Sequence, residues 1–333
     1  MKIGELVDFK EILPLKYINS LKEGDNLAGI YYCKSKNELK TKTDKLYYSL
    51  ILQDKTGQLD TKVWDTTSSG IGEFAAGDFI EVQGQVNRYQ QALQGSLFRI
   101  RKCAEGEYDI SDYMPVSKKN IDEMYDELLA ITDTVKTPYL MKLLDSFFKD
   151  PEFAKEFKRH SAAKTIHHSF IGGLLEHSLG VTKICAFLAD NYPAINRDLL
   201  ITAAPLHDIG KMSEINEFPA NDYSDCGQLL GHIYIGAHII EDKIAAIPEF
   251  PDRVKNELIH CILAHHGQLE YGSPKLPALI EAEALAMADN LDAKMETFTE
   301  IIDENKGRTD WLGFKKVLDS NVRLTTPAPE DDK

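Results

Sequence analysis

The sequence predicts a multidomain chain of α and β structure, with a small β-barrel in front of a larger all-α domain. Three observations carry that expectation. Apolar alternation of period two runs from about residue 24 to 104, the period becomes 3.6 from about 118, and all ten histidines fall between positions 160 and 266. A chain of 333 residues with 43% apolar content can fill two moderate cores.

The strands come first. DNLAGIYYCKSKNEL is a leading strand, and KLYYSLILQDKTGQLDTKVWD holds two alternating runs around DKTG, a hairpin signal. DFIEVQGQVNRYQQALQGSLFRIRKC supplies two more, and a short helical candidate, TSSGIGEFAAG, lies between the third and fourth strands. That count and order match an OB-fold barrel, expected over residues 1–105. Alternation sets Leu46, Tyr48, Leu50 and Leu52 on one face and Tyr47, Ser49 and Ile51 on the other. On the next strand Leu59, Thr61 and Val63 oppose Lys62 and Trp64. Tyr47, Lys62 and Trp64 then share an outward face, which Arg88, Tyr89, Arg99 and Arg101 extend. Rings interleaved with cations hold single strands by base stacking and phosphate contact. The plainer alternative is that these side chains cover barrel ends or pack against the neighbouring domain.

Residues 106–117 are expected as a linker, and residues 118–320 as the all-α domain. KNIDEMYDELLAIT, PYLMKLLDSFFKD and PEFAKEFKRH have helical periodicity, and further helices are expected near 169–190, 197–207, 229–246, 251–266 and 278–301. Residues 321–333, ending TTPAPEDDK, have the composition of a flexible acidic tail. Apolar residues on more than one face of PYLMKLLDSFF suggest a homo-oligomer.

Charge and cysteines bound the function. Net charge is −15, but residues 1–110 carry 15 Lys+Arg against 16 Asp+Glu, leaving 23 against 37 for the remainder. Indiscriminate nucleic-acid binding is thereby disfavoured, while a local basic face on the front part is not. The five cysteines are scattered without a CxxC pair, so reduced structural thiols are expected. No secretory h-region and no membrane-length apolar run is seen, which predicts a cytoplasmic protein without membrane contact.

The histidine-rich block carries the chemistry. His177 stands mid-helix in GGLLEHS, and His207-Asp208 ends the next helix in PLHDIGK. His232 follows in GHIYIG, then His265-His266 in LAHHG and Asp289 in AMADNLDAK. A carboxylate among Ala, Leu and Met is desolvated, and an opposing cation resolves that cost. Asp292 shares its helix face as an alternative or supporting partner. Lys211, one turn past His207-Asp208, is placed to meet a phosphate oxygen or, more plainly, to cap a helix. His167, His168 and Lys275 are candidate substrate contacts, whereas His160, His238 and His260 read as structural.

Together these segments resemble the HD-domain superfamily of metal-dependent phosphohydrolases, whose motif H…HD…D is filled by His177, His207-Asp208 and Asp289. His232, His265 and His266 resemble the expanded set that holds a second ion in some HD subfamilies. With the barrel in front, AAKTIHHSFIGGLLEHS, HDIGK, GHI, ILAHHGQLEYGSPKLP and ADNLDAKM resemble the YhaM family of bacterial 3′-to-5′ exoribonucleases over nearly the whole chain. The resemblance implies hydrolysis of RNA from its 3′ end; single-stranded RNA is the expected partner with single-stranded DNA left open beside it, and 5′-mononucleotides are the expected product of a two-metal mechanism. It also implies two divalent ions bridged by catalytic Asp208, manganese first, with Fe²⁺ or Co²⁺ as alternatives. Two other readings stand beside it. One is an HD phosphohydrolase of small nucleotides; the other is a nucleic-acid-binding regulator with a structural metal, against which seven ligands are more than a closed site needs.

Overall fold

The alternating segments form five strands, β1 (Asn26–Lys40), β2 (Leu46–Asp54), β3 (Gly57–Val63), β4 (Phe79–Tyr89) and β5 (Ala92–Lys102). The computed structural model describes residues 16–90, 92–164, 169–218 and 220–326. The strands close in the order β1-β2-β3-β5-β4, antiparallel except for β3 beside β5, which is the five-stranded barrel of an OB-fold. Leu27, Tyr31, Leu50, Leu52, Val63 and Ile80 fill its interior. The DKTG hairpin is fixed by the buried Asp54 carboxylate, which accepts from Thr56 N at 2.7 Å, Thr56 Oγ1 at 2.6 Å and Gly57 N at 3.1 Å. Close packing of β3 on β5 requires Gly95, since a Cβ there would meet Thr61 Cγ2 at 2.6 Å.

Two expectations for the front part change. TSSGIGEFAAG forms turns and a bridge from Ile71 to Ile100 instead of a helix. Its backbone bonds β5 (Gly72 N to Ile100 O and Ile100 N to Gly70 O, both 2.9 Å), leaving those groups unavailable to a helix for which Gly and Ser have little propensity. The stretch expected as a linker is tied to the barrel. Tyr108 stacks on Phe79 at 3.8 Å between centroids, Tyr113 and Met114 are buried, and Asp112 accepts from Tyr17 Oη at 2.6 Å.

A second compact unit begins at Ser117. Its helices are α1 (Ile121–Thr132), α2 (Pro138–Phe148), α3 (Pro151–Arg159), α4 (Gly173–Asn191), α5 (Arg197–Leu206), α6 (Lys211–Glu214), α7 (Asp225–Ala245), α8 (Asp252–Ala264) and α9 (Ile280–Glu304). Asn120 and Asp150 cap α1 and α3 with their side chains, and proline opens α2 and α3. Thr137 gives α2 no side-chain cap; Asp198 from α5 takes that place, accepting from Lys136 N, Thr137 N and Thr137 Oγ1 at 3.0, 2.8 and 2.6 Å. At the centre α4 packs against α1, α3, α5 and α9.

Three further readings are corrected. Leu140, Leu143, Leu144, Phe147 and Phe148 of α2 are buried within the chain and Tyr139 is half-buried, so that helix gives no support to an oligomer. The all-α unit also carries a β-hairpin, β6 (Trp311–Lys315) with β7 (Ser320–Arg323). The flexible tail expected from 321 therefore starts inside a strand, and residues 327–333 lie outside the described residues. All five cysteines are free, four of them buried and Cys226 exposed. No helix among the described residues is long and apolar enough to cross a membrane.

Candidate active site

Five imidazoles and four carboxylates converge from α4, the ends of α5 and α8, and α6, α7 and α9. Asp208 is at the centre. Its Oδ2 lies 3.4 Å from His177 Nε2 and 3.3 Å from His207 Nε2, while Oδ1 lies 3.5 Å from His232 Nε2 and 3.6 Å from His265 Nε2. His177, His207 and Asp289 form one donor group and His232, His265 and His266 another; within each, the ligand atoms all lie within 4.8 Å of one another.

The orientation of every ring is set from behind. His207 and His265 each follow the last turn of a helix and donate Nδ1–H to the carbonyl three residues earlier, Ala204 and Ile262, both at 2.6 Å. His266 Nδ1 donates to Tyr271 O at 2.7 Å. Asp292 Oδ2 accepts from His177 Nδ1 at 2.7 Å, and Glu214 Oε1 from His232 Nδ1 at 3.1 Å. Carbonyls and carboxylates only accept here, so Nδ1 carries the proton and each Nε2 turns its lone pair inward.

Two glycines permit this convergence. A Cβ on Gly210 would lie 2.0 Å from His232 O, so only glycine lets α7 come this close behind Asp208. One on Gly180 would lie 2.1 Å from Asp292 Oδ1, displacing the carboxylate that holds His177. Gly231, at φ 74°, kinks α7 just before His232 and frees that residue's N–H to bond Glu214 at 3.0 Å.

The electrostatics amount to a demand for positive charge. Asp208 Oδ1, His232 Nε2 and His265 Nε2 are buried without a hydrogen-bond partner, and His177 Nε2 faces His207 Nε2 at 3.2 Å. Opposed lone pairs repel, and a cation between them removes the repulsion. Burial alone would lower the proton affinity of His177, yet Asp208, Asp289 and Asp292 raise its pKa well above the usual imidazole range, so its Nε2 takes up either a proton or a cation against the two carboxylates it faces. Burial, with His207 beside it, holds that of His265 well below it. Burial opposes ionisation of Asp208, but the Lys211 ammonium and the imidazoles hold its carboxyl well below the usual range. Lys211 is inward-facing, its Nζ 2.6 Å from Asp208 Oδ2, so it does not serve as a surface cap. A donor set of nitrogen and oxygen without thiolate fits a divalent metal.

Other candidates fall elsewhere. His167 and His168 lie outside the described residues. Lys275 is exposed on the loop after α8. His260 Nε2 accepts from Ala278 N at 2.9 Å, His160 is buried, and His238 lies exposed near Asp242. On the barrel, Tyr47 and Trp64 stack at 5.0 Å, and Trp64 is 47% exposed. Lys62 is held by Asp60 at 2.8 Å and Ser49 at 2.6 Å, and Arg88 by Glu23 at 3.2 Å. Tyr89 is exposed and Arg99 half-buried. Arg101, expected at the binding face, is locked by Glu81 and Glu107 at 2.7 and 2.9 Å. Phe98 escaped the sequence reading because a bulge opposite Gln83/Gly84 breaks the alternation of β5 and turns the ring outward. Glu214 also escaped it, since an acid 18 residues from its histidine leaves no local pattern.

The HD domain family matches residues 174–294, the segment from α4 into α9 that holds all seven ligand candidates. The 3′-5′ exoribonuclease YhaM of Bacillus velezensis is 33% identical over 275 residues, 82% of this chain and 86% of that protein. Its Bacillus subtilis counterpart is 32% identical over 286 residues, 85% of this chain and 90% of that protein. The chain belongs to the YhaM family. HD-domain membership goes with dependence on a divalent metal, for which this YhaM-family chain offers the two donor groups. Among solved structures, the second OB-fold domain of replication protein A from Methanococcus maripaludis is 23% identical, covering 27% of this chain and 96% of that chain at a TM-score of 0.22. The strand order of the YhaM-family barrel is what identifies its fold.

Proposed function

We propose that this protein is a metal-dependent 3′-to-5′ exoribonuclease that releases 5′-mononucleotides from single-stranded RNA. The observation carrying the reading is the Asp208 carboxylate, each oxygen of which faces a different histidine pair at 3.3–3.6 Å. One ion would be held by His177, His207 and Asp289 and the other by His232, His265 and His266, with Asp208 shared. Manganese suits the mixed nitrogen and oxygen donors better than magnesium, with Fe²⁺ or Co²⁺ as alternatives. The chemistry such ions would supply there is binding of the scissile phosphate, acidification of water and stabilisation of the leaving oxygen.

The chain's own groups do the rest. Asp292, Glu214 and three backbone carbonyls lock the imidazoles, so no reorientation accompanies the reaction. Lys211 balances the charge of Asp208 and supplies an ammonium beside the phosphate. Tyr47 and Trp64 give the barrel a stacking surface for bases, and Phe98 on β5 is a further exposed ring. A homo-oligomer draws support from α9, where Met287, Leu291, Met295 and Ile302 stand exposed at helical spacing.

The test is a 5′-labelled single-stranded RNA incubated with protein and Mn²⁺, beside small nucleotides and single-stranded DNA. A descending ladder from the 3′ end is expected. Turnover of small nucleotides with intact RNA would overturn the reading in favour of a nucleotide phosphohydrolase.

A further inference from the structure

The segment after α9 differs in charge from the unit that carries it. Residues 111–333 hold 23 Lys+Arg against 37 Asp+Glu, whereas residues 305–324 hold five against two. This stretch contains the β6–β7 hairpin, in which Trp311 pairs with Arg323 and Phe314 with Asn321. A bulge at Leu312–Gly313 interrupts the register, with Gly313 at φ 80°, a left-handed value that favours glycine. The extra residue changes which way the strand faces. Trp311 and Phe314, three apart, would point to opposite sides of a regular strand; here both share a face with Asn321 and Arg323. Val322 and Leu324, which alternate with those two, are buried, so the hairpin is anchored through its other side. Trp311 is 63% exposed and Phe314 59%.

The cations belong to the same argument. Lys306 and Arg308 pair with Asp303 and Asp310. Lys315, Lys316 and Arg323 are in no ion pair among the described residues. Two exposed rings on one face with an arginine opposite the first of them, and lysines in no ion pair at the adjoining turn, on an otherwise acidic unit, suit a polyanion that also offers flat apolar faces. A single-stranded nucleic acid has both properties: bases stack on rings and on guanidinium planes, while phosphates take the charge.

The geometry points to the β6–β7 hairpin of the helical unit as a further RNA-contacting surface, with Trp311 and Phe314 as its stacking residues and Arg323 as its phosphate contact. The inference rests on that part of the proposed function by which the chain binds single-stranded RNA, whether or not it cleaves it. The occupant is the RNA strand, because a single strand answers both features of the face at once, phosphates for the segment's five cations against two acids and bases for its two exposed rings; a second copy is the outcome that the sedimentation measurement below detects.

The test uses the full-length chain with Asp208→Asn, which keeps the RNA intact, and a fluorescent 20-nucleotide single-stranded RNA. Trp311→Ala is expected to weaken binding about tenfold, within the range of one lost base–ring stack, and Trp311→Tyr to restore most of it. Arg323→Gln is expected to lower the slope of log affinity against log salt by about 0.7, the value of one phosphate contact on a single strand. On the otherwise unaltered chain, Trp311→Ala leaves hydrolysis of bis(p-nitrophenyl) phosphate unchanged. Undiminished RNA affinity in both Trp311→Ala and Phe314→Ala overturns the proposal. A changed sedimentation coefficient with unchanged affinity overturns it too, and assigns the face to a second copy. Tight RNA binding by the unaltered chain without cleavage would instead sink the exoribonuclease reading and leave the hairpin's role standing.

Discussion

The barrel and the metal centre handle polar chemistry in opposite ways. On the barrel, Tyr47 and the exposed Trp64 lean on each other and half-buried Lys62 on Asp60 and Ser49, each small set fixed by its strand neighbours. In the helical unit, His177, His207, Asp208 and His265 are buried, and each ring is held at Nδ1 by an acceptor from its own turn or another segment. A surface made of separate contacts loses function by degrees, whereas a buried set sharing one carboxylate acts as a unit. That contrast orders the expected effects of substitution.

The sharpest break comes from Asp208→Ala, which removes the carboxylate that faces both donor sets. Hydrolysis of labelled RNA should fall by about 10³-fold or more while affinity for the strand is kept. Residual turnover above one-tenth in a metal-saturated preparation would show that the two sets work independently. Next is Asp292→Asn, which keeps the shape but weakens the hold on His177. The Mn²⁺ concentration giving half-maximal activity should rise about 10- to 100-fold, and an unchanged metal titration would remove Asp292 from the site.

On the barrel side, Trp64→Ala should weaken RNA binding by roughly tenfold, with hydrolysis of a small phosphodiester intact. Equal losses on both substrates would erase the distinction between the two regions. The smallest effect belongs to Asp198, whose carboxylate caps α2. Burial opposes its ionisation, but the Thr137 hydroxyl and the Lys136 and Thr137 amides lower its pKa below 3.8. Its stabilisation is therefore present above the unfolded-state value and is lost as pH falls through the folded-state one. Asp198→Ala should lower stability by about 1–2 kcal/mol at pH 7, or about 2–8 °C in Tm for a domain of this size. Thermal melts of the two proteins should converge in strong acid, and a constant gap from pH 7 down to pH 2 would exclude the charged cap.

Legibility followed the range of the cause. The hairpin at DKTG and the inward set Leu50, Leu52, Leu59 and Val63 were readable because turn chemistry and period-two burial act over a few residues. TSSGIGEFAAG was misread because Gly70 and Gly72 bond β5 across nearly thirty residues of chain. Phe98 and the pair Trp311 and Phe314 lay hidden for a related reason: a bulge alters facing without altering composition.

In the site, the identities of the histidines and aspartates were written in the sequence, since only those residue types supply the donors. Their division into two groups around Asp208 came from the family resemblance, and the distances agree with it. Tertiary structure alone decided that Asp292 stands behind His177 instead of among the ligands, that Glu214 turns His232, and that Lys211 faces inward. It also decided that Gly180 and Gly210 must lack a side chain. The physical reason is distance along the chain: a side chain's type is local, but which atom it turns toward a neighbour depends on segments that meet only when the helices pack.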